Sequence, residues 1–380
     1  MDKTRSVGLW AYPWDIARMG VAHTVERLVS ADITELSVAT VYHSGQVLSL
    51  IDHTPRFITM PEGPLLDVRD SDWSQAGIGF RPGDLLEELR GELSAAGIRL
   101  RGWTIINHDK RDWSPTVNVF GQAIAHAACP LANRPRIVEL VQWLSQSGHY
   151  DALDLESIGF TSAMHGAHHE IAGIVMTPLL QLLLSMCFCP DCEAAHASEM
   201  DWEALRILVS AAIQRLVHEE APPDPGAQLA TFVVEHPLLG EFVRRRGQAL
   251  DGLLTQLTAG SSIPLAPILM AYHRQASLSW IEGLMANPAV PTDLVVLGYG
   301  DPAVIQHDLD WLWSKGWDPA RLMMGQTLLP SAAPTYGDAE ARLRSARAAG
   351  ITRFTFYNFG LLSRVRWDWL RRLSRLAWTV

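Results

Sequence analysis

The 380-residue sequence is 48% hydrophobic and 19% charged, with a formal net charge of -10. That much apolar material can build a large core and excludes a disordered chain. The acidic balance argues against nucleic acid or an anionic membrane as the main partner, since both recruit concentrated Lys and Arg, and leaves a small-molecule ligand as the expectation.

Met1-Asp2-Lys3-Thr4-Arg5 lacks the apolar stretch of a secretory signal and leads straight into a strand pattern, so a cytoplasmic location is expected. Apolar, β-branched runs predict strands over 7–12, 35–41, 98–106, 152–156, 263–270, 294–299, 321–327 and 353–357. Helical spacing fills the gaps over 24–31, 83–96, 135–147, 278–286, 303–315 and 339–349. Gly97, Gly316 and Gly350 follow three of these helices as expected left-handed caps. Strand and helix in alternation predict one α/β domain over 1–380, a (β/α)8 TIM barrel.

Two segments exceed the minimal repeat. Residues 56–80 carry short β-like runs at 57–60 and 77–80, which predict a hairpin over the barrel mouth. Residues 160–262 are too long for a bare loop and predict a helical insertion after the fourth strand, with helices over 178–186, 202–219 and 237–258. A rival count makes 228–234 the fifth strand. The uncharged stretch 171–188 approaches spanning length, but Gly173, Thr177, Pro178, Gln181 and Ser185 interrupt it. Thr177-Pro178 reads as the cap and first turn of a buried helix. The short basic run Arg244-Arg245-Arg246 reads as a solvated helix face.

In a barrel, chemistry sits at the carboxyl ends of the strands. Those ends carry Tyr12 and Trp14, Tyr42-His43, Asn107-His108, Glu156, Tyr272-His273, Tyr299 with Asp301, Gln326-Thr327 and Tyr357-Asn358. Aromatic rings beside amides, imidazoles and carboxylates suit a sugar, whose C–H faces pack on rings while its hydroxyls need polar partners. Asp154 and Glu156 are two apart on a strand and share a face, so an inward pair would raise one pKa and prepare a general acid. Asp301 is either a catalytic acid or the cap of the following helix. His165-Gly166-Ala167-His168-His169-Glu170 matches no firm metal signature and reads as a substrate loop. Cys187, Cys189 and Cys192 predict a structural Zn site completed by Cys129 or His196, with inert buried thiols as the alternative.

Asn107-His108, Asn118-Val119-Phe120-Gly121, Cys129-Pro130, Leu155-Glu156-Ser157, the HGxHHE stretch at 165–170 and the CFCxxC stretch at 187–192 together resemble little-characterised bacterial TIM-barrel proteins similar to glycoside hydrolases. The resemblance covers mainly 105–192, with a weaker echo at Tyr357-Asn358-Phe359-Gly360. In the large hydrolase clan with this fold the acid/base Glu ends the fourth strand and the nucleophile Glu ends the seventh. Glu156 matches the first position, whereas Gln326 stands near the second.

The expectation is therefore a glycoside hydrolase-like enzyme acting on a sugar or glycosylated small metabolite, with Glu156 as general acid/base and Asp301 or Asp154 as partner. Substrate contacts are expected from Tyr12, Trp14, Asn107, His108, His165, His168, His169, Glu170, Tyr299, Gln326, Tyr357 and Asn358. No organic cofactor is expected. The alternatives are a lyase or isomerase of a sugar-derived metabolite, with His108 or His169 moving protons, and a non-catalytic carbohydrate-binding barrel.

Overall fold

The computed structural model describes residues 5–51, 55–60, 62–65, 82–108, 112–164, 173–220, 222–269, 283–284 and 286–379. Eight parallel strands close on themselves: β1 (Ser6–Ala11), β2 (Glu35–Tyr42), β3 (Arg99–Ile105), β4 (Ala152–Glu156), β5 (Leu265–Leu269), β6 (Leu294–Leu297), β7 (Leu322–Thr327) and β8 (Arg353–Tyr357). Each pairs with its neighbours in sequence, and β8 returns to β1. This is a (β/α)8 barrel. The rival fifth strand at 228–234 belongs instead to helix Pro225–Glu235, because Asp224 accepts from the Gly226 and Ala227 amides and Pro225 opens the first turn.

Alternation along each strand divides the apolar side chains into two sets. Leu9, Leu36, Leu155, Val296, Met324 and Phe354 face outward and join the helices in one continuous core. Each such side chain, fully buried, contributes roughly 1.5–3 kcal/mol. Trp10, Ala39, Trp103, Ala266, Val295 and Met323 form the separate inner set. The large Trp10 indole fits because β7 offers Gly325 opposite it, where a Cβ would come within 2.9 Å of the ring. Below these rings the lumen is ionic. Asp154 accepts from Arg101 Nε at 3.0 Å and from Ser37 Oγ at 2.6 Å, while Glu35 is paired with Arg99 and lies 3.5 Å from Arg101.

Helix ends follow local chemistry. Thr335 and Asp338 form a reciprocal capping box, and Thr177 accepts the Leu180 amide at 3.2 Å. Gly97 and Gly350 close their helices with φ of 69° and 96°, a region that penalises a Cβ.

A hairpin shapes the mouth. The run at 57–60 lies in Arg56–Met60, which pairs antiparallel with Gly45–Ser49; the expected partner run at 77–80 lies outside the described residues. Ile58, Met60 and Leu65 pack on the aromatic side chains at the top of the barrel. This hairpin is pinned at its base. Ser49 Oγ donates to the buried Asp15 carboxylate at 2.5 Å, the Leu50 amide donates to Gly360 O at 2.7 Å, and Asp15 occupies the space a Cβ on residue 360 would need. Between β4 and β5 lie the helices Pro178–Leu184, Pro190–His196, Trp202–Leu216, Pro225–Glu235 and Pro237–Gly260. No described helix is long and apolar enough to cross a membrane.

Candidate active site and cysteine centre

A cavity of about 290 Å3 opens at the carboxyl end of the barrel. Its wall takes Trp10 from β1, Tyr42 from β2, Trp103 from β3, Glu156 from β4, Ile268 from β5, Leu297 and Tyr299 from β6 and its exit, Thr327 from β7 and Tyr357 from β8. Leu329, Ser331 and Ala332 complete it from the loop after β7. Glu156 is the one carboxylate among the described residues of this wall.

Glu156 ends β4, and the chain turns away at once. Ser157 takes a left-handed φ of 53°, and β3 is zipped to this turn by Ile106 N to Glu156 O at 2.9 Å and Asn107 N to Ser157 O at 3.0 Å. A non-glycine residue held in that region marks a backbone position the surroundings over-determine. The Glu156 side chain accepts from Trp103 Nε1 at 2.6 Å. Burial pushes its carboxyl above the ordinary range, and the indole hydrogen bond opposes that rise in part. Such a carboxyl holds its proton to higher pH than an exposed one.

Three phenols sit beside it. Tyr12 Oη lies 3.0 Å from Tyr42 Oη and 2.8 Å from Tyr357 Oη, so Tyr12 is the hub of a buried hydroxyl network. Burial raises the pKa of all three, and the nearby Glu156 charge adds to the rise. They are therefore neutral donors and acceptors, suited to orienting sugar hydroxyls. Trp14 stacks on Tyr12 with centroids 4.5 Å apart. Trp10 is 2% exposed, and its indole N–H has no hydrogen-bond partner among the described residues.

The remaining expected residues are placed as follows. Tyr299 and Tyr357 line the cavity. Asn107 is fully buried and donates to Ile158 O at 2.7 Å, so its amide ties β3 to the β4 turn. His108 packs on His43 at 4.7 Å, and His43 in turn stacks on Tyr42. Asn358 accepts the Gly360 amide at 3.1 Å just beyond the cavity. Gln326 is 2% exposed and sits with Gly298 and Met324 on the helix side of β7, so the residue β7 presents to the cavity is Thr327. Asp301 accepts the Val304 amide at 3.0 Å and caps helix Pro302–Ser314. Asp154 is held in the ionic layer below by Arg101 and Ser37. His165, His168, His169 and Glu170 lie outside the described residues. Trp10, Tyr42 and Thr327 stand at strand ends in the sequence but were not expected as substrate contacts, and Trp103 was not singled out. The signal for Trp103 was the alternation Arg101, Trp103, Ile105, which puts it on the inward face with Glu156 as its cross-strand neighbour but one.

A second cluster joins the segment that follows β3 to the helices that follow β4. Cys129, Cys187, Cys189 and Cys192 are buried, and their sulfurs all lie within 4.8 Å of one another, with Cys129 3.5 Å from Cys192 and 3.6 Å from Cys189. A tetrahedral ion with metal–sulfur bonds of about 2.3 Å requires sulfur–sulfur edges of roughly 3.8 Å, so the donor set fits one mononuclear thiophilic ion. These four thiols could hold a metal. His196 packs on Trp202 and Phe242 instead of joining the sulfurs, and burial pushes its imidazole pKa down.

No family model matches the chain, and no curated protein matches it either. Solved structures do match in fold. A β-galactosidase from the psychrophilic Marinomonas ef1 aligns with a TM-score of 0.57 at 10% identity over 97% of this chain and 59% of its own. This chain thus spans well under two thirds of that enzyme. A chitinase from Pseudoalteromonas aurantia aligns with a TM-score of 0.46 at 8% identity, over 97% of this chain and 99% of its own. A sugar phosphate isomerase/epimerase from Parabacteroides distasonis gives 0.42 at 8% identity, over 99% and 96%. At these identities the likeness concerns the barrel alone.

Proposed function

We propose that this barrel is an enzyme acting on a sugar or glycosylated small metabolite, with Glu156 as its general acid/base. The observation that carries the reading is the environment of Glu156: a part-buried carboxyl of raised pKa, held by Trp103 in an aromatic-walled cavity at the catalytic end of the fold. Glycosidic cleavage needs a proton delivered to the leaving oxygen as its bond to the anomeric carbon breaks and water adds to that carbon, and a carboxyl that holds its proton to higher pH than an exposed one is suited to supply it. Tyr299, Tyr357 and Thr327 would orient the ring, and Tyr12 would hold Tyr357 and Tyr42 in place. Asp154 and Asp301, the expected partner acids, are engaged by Arg101 and by a helix amide, so the reading rests on Glu156.

One observation also favours isomerase or lyase chemistry on a sugar-derived substrate. A single described wall carboxylate beside phenol hydroxyls suffices to move a proton between carbons or to eliminate a leaving group. Purified enzyme offered a panel of aryl glycosides, and separately aldoses and ketoses in D2O, separates the two. Release of the aryl alcohol by wild type and not by Glu156→Gln supports hydrolysis. Carbon-bound deuterium without aryl release supports the second reading, and sugar binding with neither outcome removes catalysis altogether.

The four cysteines are proposed to hold one structural zinc ion, with all four positions filled by protein, and the helices after β4 to form an insertion that this centre fastens to the barrel wall. About one zinc per purified chain is the expected content. Metal-free protein that folds with unchanged Tm after exposure to zinc would mean that the sulfurs are core thiols.

A further inference from the structure

The run Arg244-Arg245-Arg246 does not lie on a solvated face throughout. Arg244 and Arg245 pair with Glu241, but Arg246 turns inward from helix Pro237–Gly260 and is fully buried. Among the described residues no carboxylate pairs with it, and its Nε and Nη1 have no hydrogen-bond partner. Nη2 reaches only Ser185 O at 3.5 Å, and the guanidinium carbon sits 3.8 Å above the Phe160 ring. An unpaired cation in such a place is strongly destabilising unless a negative charge lies near it.

Among the described residues, the groups able to carry that charge are the cysteines. Ser185 is two residues before Cys187. Phe242, four residues before Arg246, stacks with Phe188, the residue between Cys187 and Cys189 in sequence, and Cys129, Cys187 and Cys192 act electrostatically on the Arg246 charge. A divalent ion bound by four thiolates is a dianion. As four metal–sulfur bonds form, four thiol protons leave for solvent and no electron moves.

We propose that Arg246 is the buried counter-charge of this centre, converting a tetrathiolate dianion into a monoanionic unit that the protein interior can hold. The inference rests on the metal reading of the cysteines and adds a residue that touches neither metal nor solvent. Arg246 is thus a positioning residue, and it links the centre to Phe160, four residues beyond Glu156.

The test compares wild type, Arg246→Met and Arg246→Lys. Zinc affinity is measured against a chromophoric chelator, and Tm is measured on zinc-loaded and chelator-stripped protein. Arg246→Met is expected to bind zinc roughly 10 to 100-fold more weakly, the usual penalty for losing an outer-shell partner, while Arg246→Lys stays within a few-fold of wild type. The sign of the stability change supplies a second readout. Loss of the cation should lower Tm in loaded protein, yet leave unchanged or raise it in stripped protein or in a Cys189→Ser background, where the cation has no anion to balance. Equal zinc affinity in the Met variant, equal Tm losses with and without metal, or failure to fold in every background would assign Arg246 to packing and overturn the proposal. Wild type that takes up no zinc overturns the metal reading itself, before any variant is made.

Discussion

Trp103 Nε1 and Glu156 Oε2 lie 2.6 Å apart across adjacent strands, so the indole donates to the carboxyl that burial works to protonate. The two effects oppose each other, and removing the donor should let burial act alone. Trp103→Phe is expected to raise the Glu156 pKa further. Infrared difference titration of the carboxyl stretch reads this directly, and under the acid role the alkaline limb of kcat moves to higher pH with it. A titration midpoint that stays put or falls would show that the hydrogen bond does not hold the charge on Glu156.

Glu156→Gln keeps the shape and removes the transferable proton. Turnover should fall by about 10^2 to 10^4-fold, the usual contribution of a general acid or base. Stability should move the other way. A carboxyl whose folded pKa is raised disfavours folding above its unfolded pKa, so the variant should melt at or above the wild-type temperature at neutral pH. Full activity in the Gln variant would remove Glu156 from the chemistry.

Asp154→Asn tests the acid two residues earlier. Its carboxylate neutralises Arg101 within the ionic layer, and breaking a buried pair from one side costs about 3 to 5 kcal/mol because the other charge is stranded. Urea unfolding should show that loss, and the protein still folded should keep substantial turnover. Retained stability with abolished turnover would give Asp154 a direct part in catalysis.

Asp308, on helix Pro302–Ser314, is 8% exposed, and burial pushes its pKa up to about 7 against a small opposing effect of His307. The unfolded chain releases this proton near the ordinary carboxyl value, the folded protein only near 7. Stability from this group is therefore full below about pH 4 and is lost as pH rises toward 7. Asp308→Asn should flatten that slope and stabilise the protein by about 1 to 3 kcal/mol at neutral pH. An unchanged slope in melting temperature from about pH 4 to 7, the window between the two pKa values, would show that Asp308 does not carry it.

The barrel was legible because its signals are local and repeated: apolar strand runs, periodic helices and glycine caps. The Cys187-Cys189-Cys192 cluster was legible for the same reason, and Cys129 came into view as one of two candidate completions. Other features depend on a single step of geometry. Gln326 and Thr327 are adjacent, and strand alternation sends one to the helices and the other to the cavity, so a one-residue uncertainty at a strand end exchanges their roles. Trp103 looks like core filler until β3 is set beside β4. Three consecutive arginines are identical as letters, and only the packing of helix Pro237–Gly260 separates buried Arg246 from its neighbours. The cap formed by Asp301 shows the same limit, since a strand-end acid and a helix N-cap share one sequence signature.

The contact between Asp15 and Gly360 gives the mouth its frame. Asp15 is rooted in the helix after β1, Gly360 in the turn after β8, and Ser49 ties the hairpin to the same carboxylate. The seam where the barrel closes and the cover above it are thus one mechanical piece. A ligand pushing against Ile58 or Met60 would press on the join between the first and last strands, and the wall there behaves as a rigid rim instead of a hinged flap. Enlarging the pocket by loop engineering is therefore better tolerated at Leu329, Ser331 and Ala332, which line the cavity from the loop after β7, than anywhere in the hairpin.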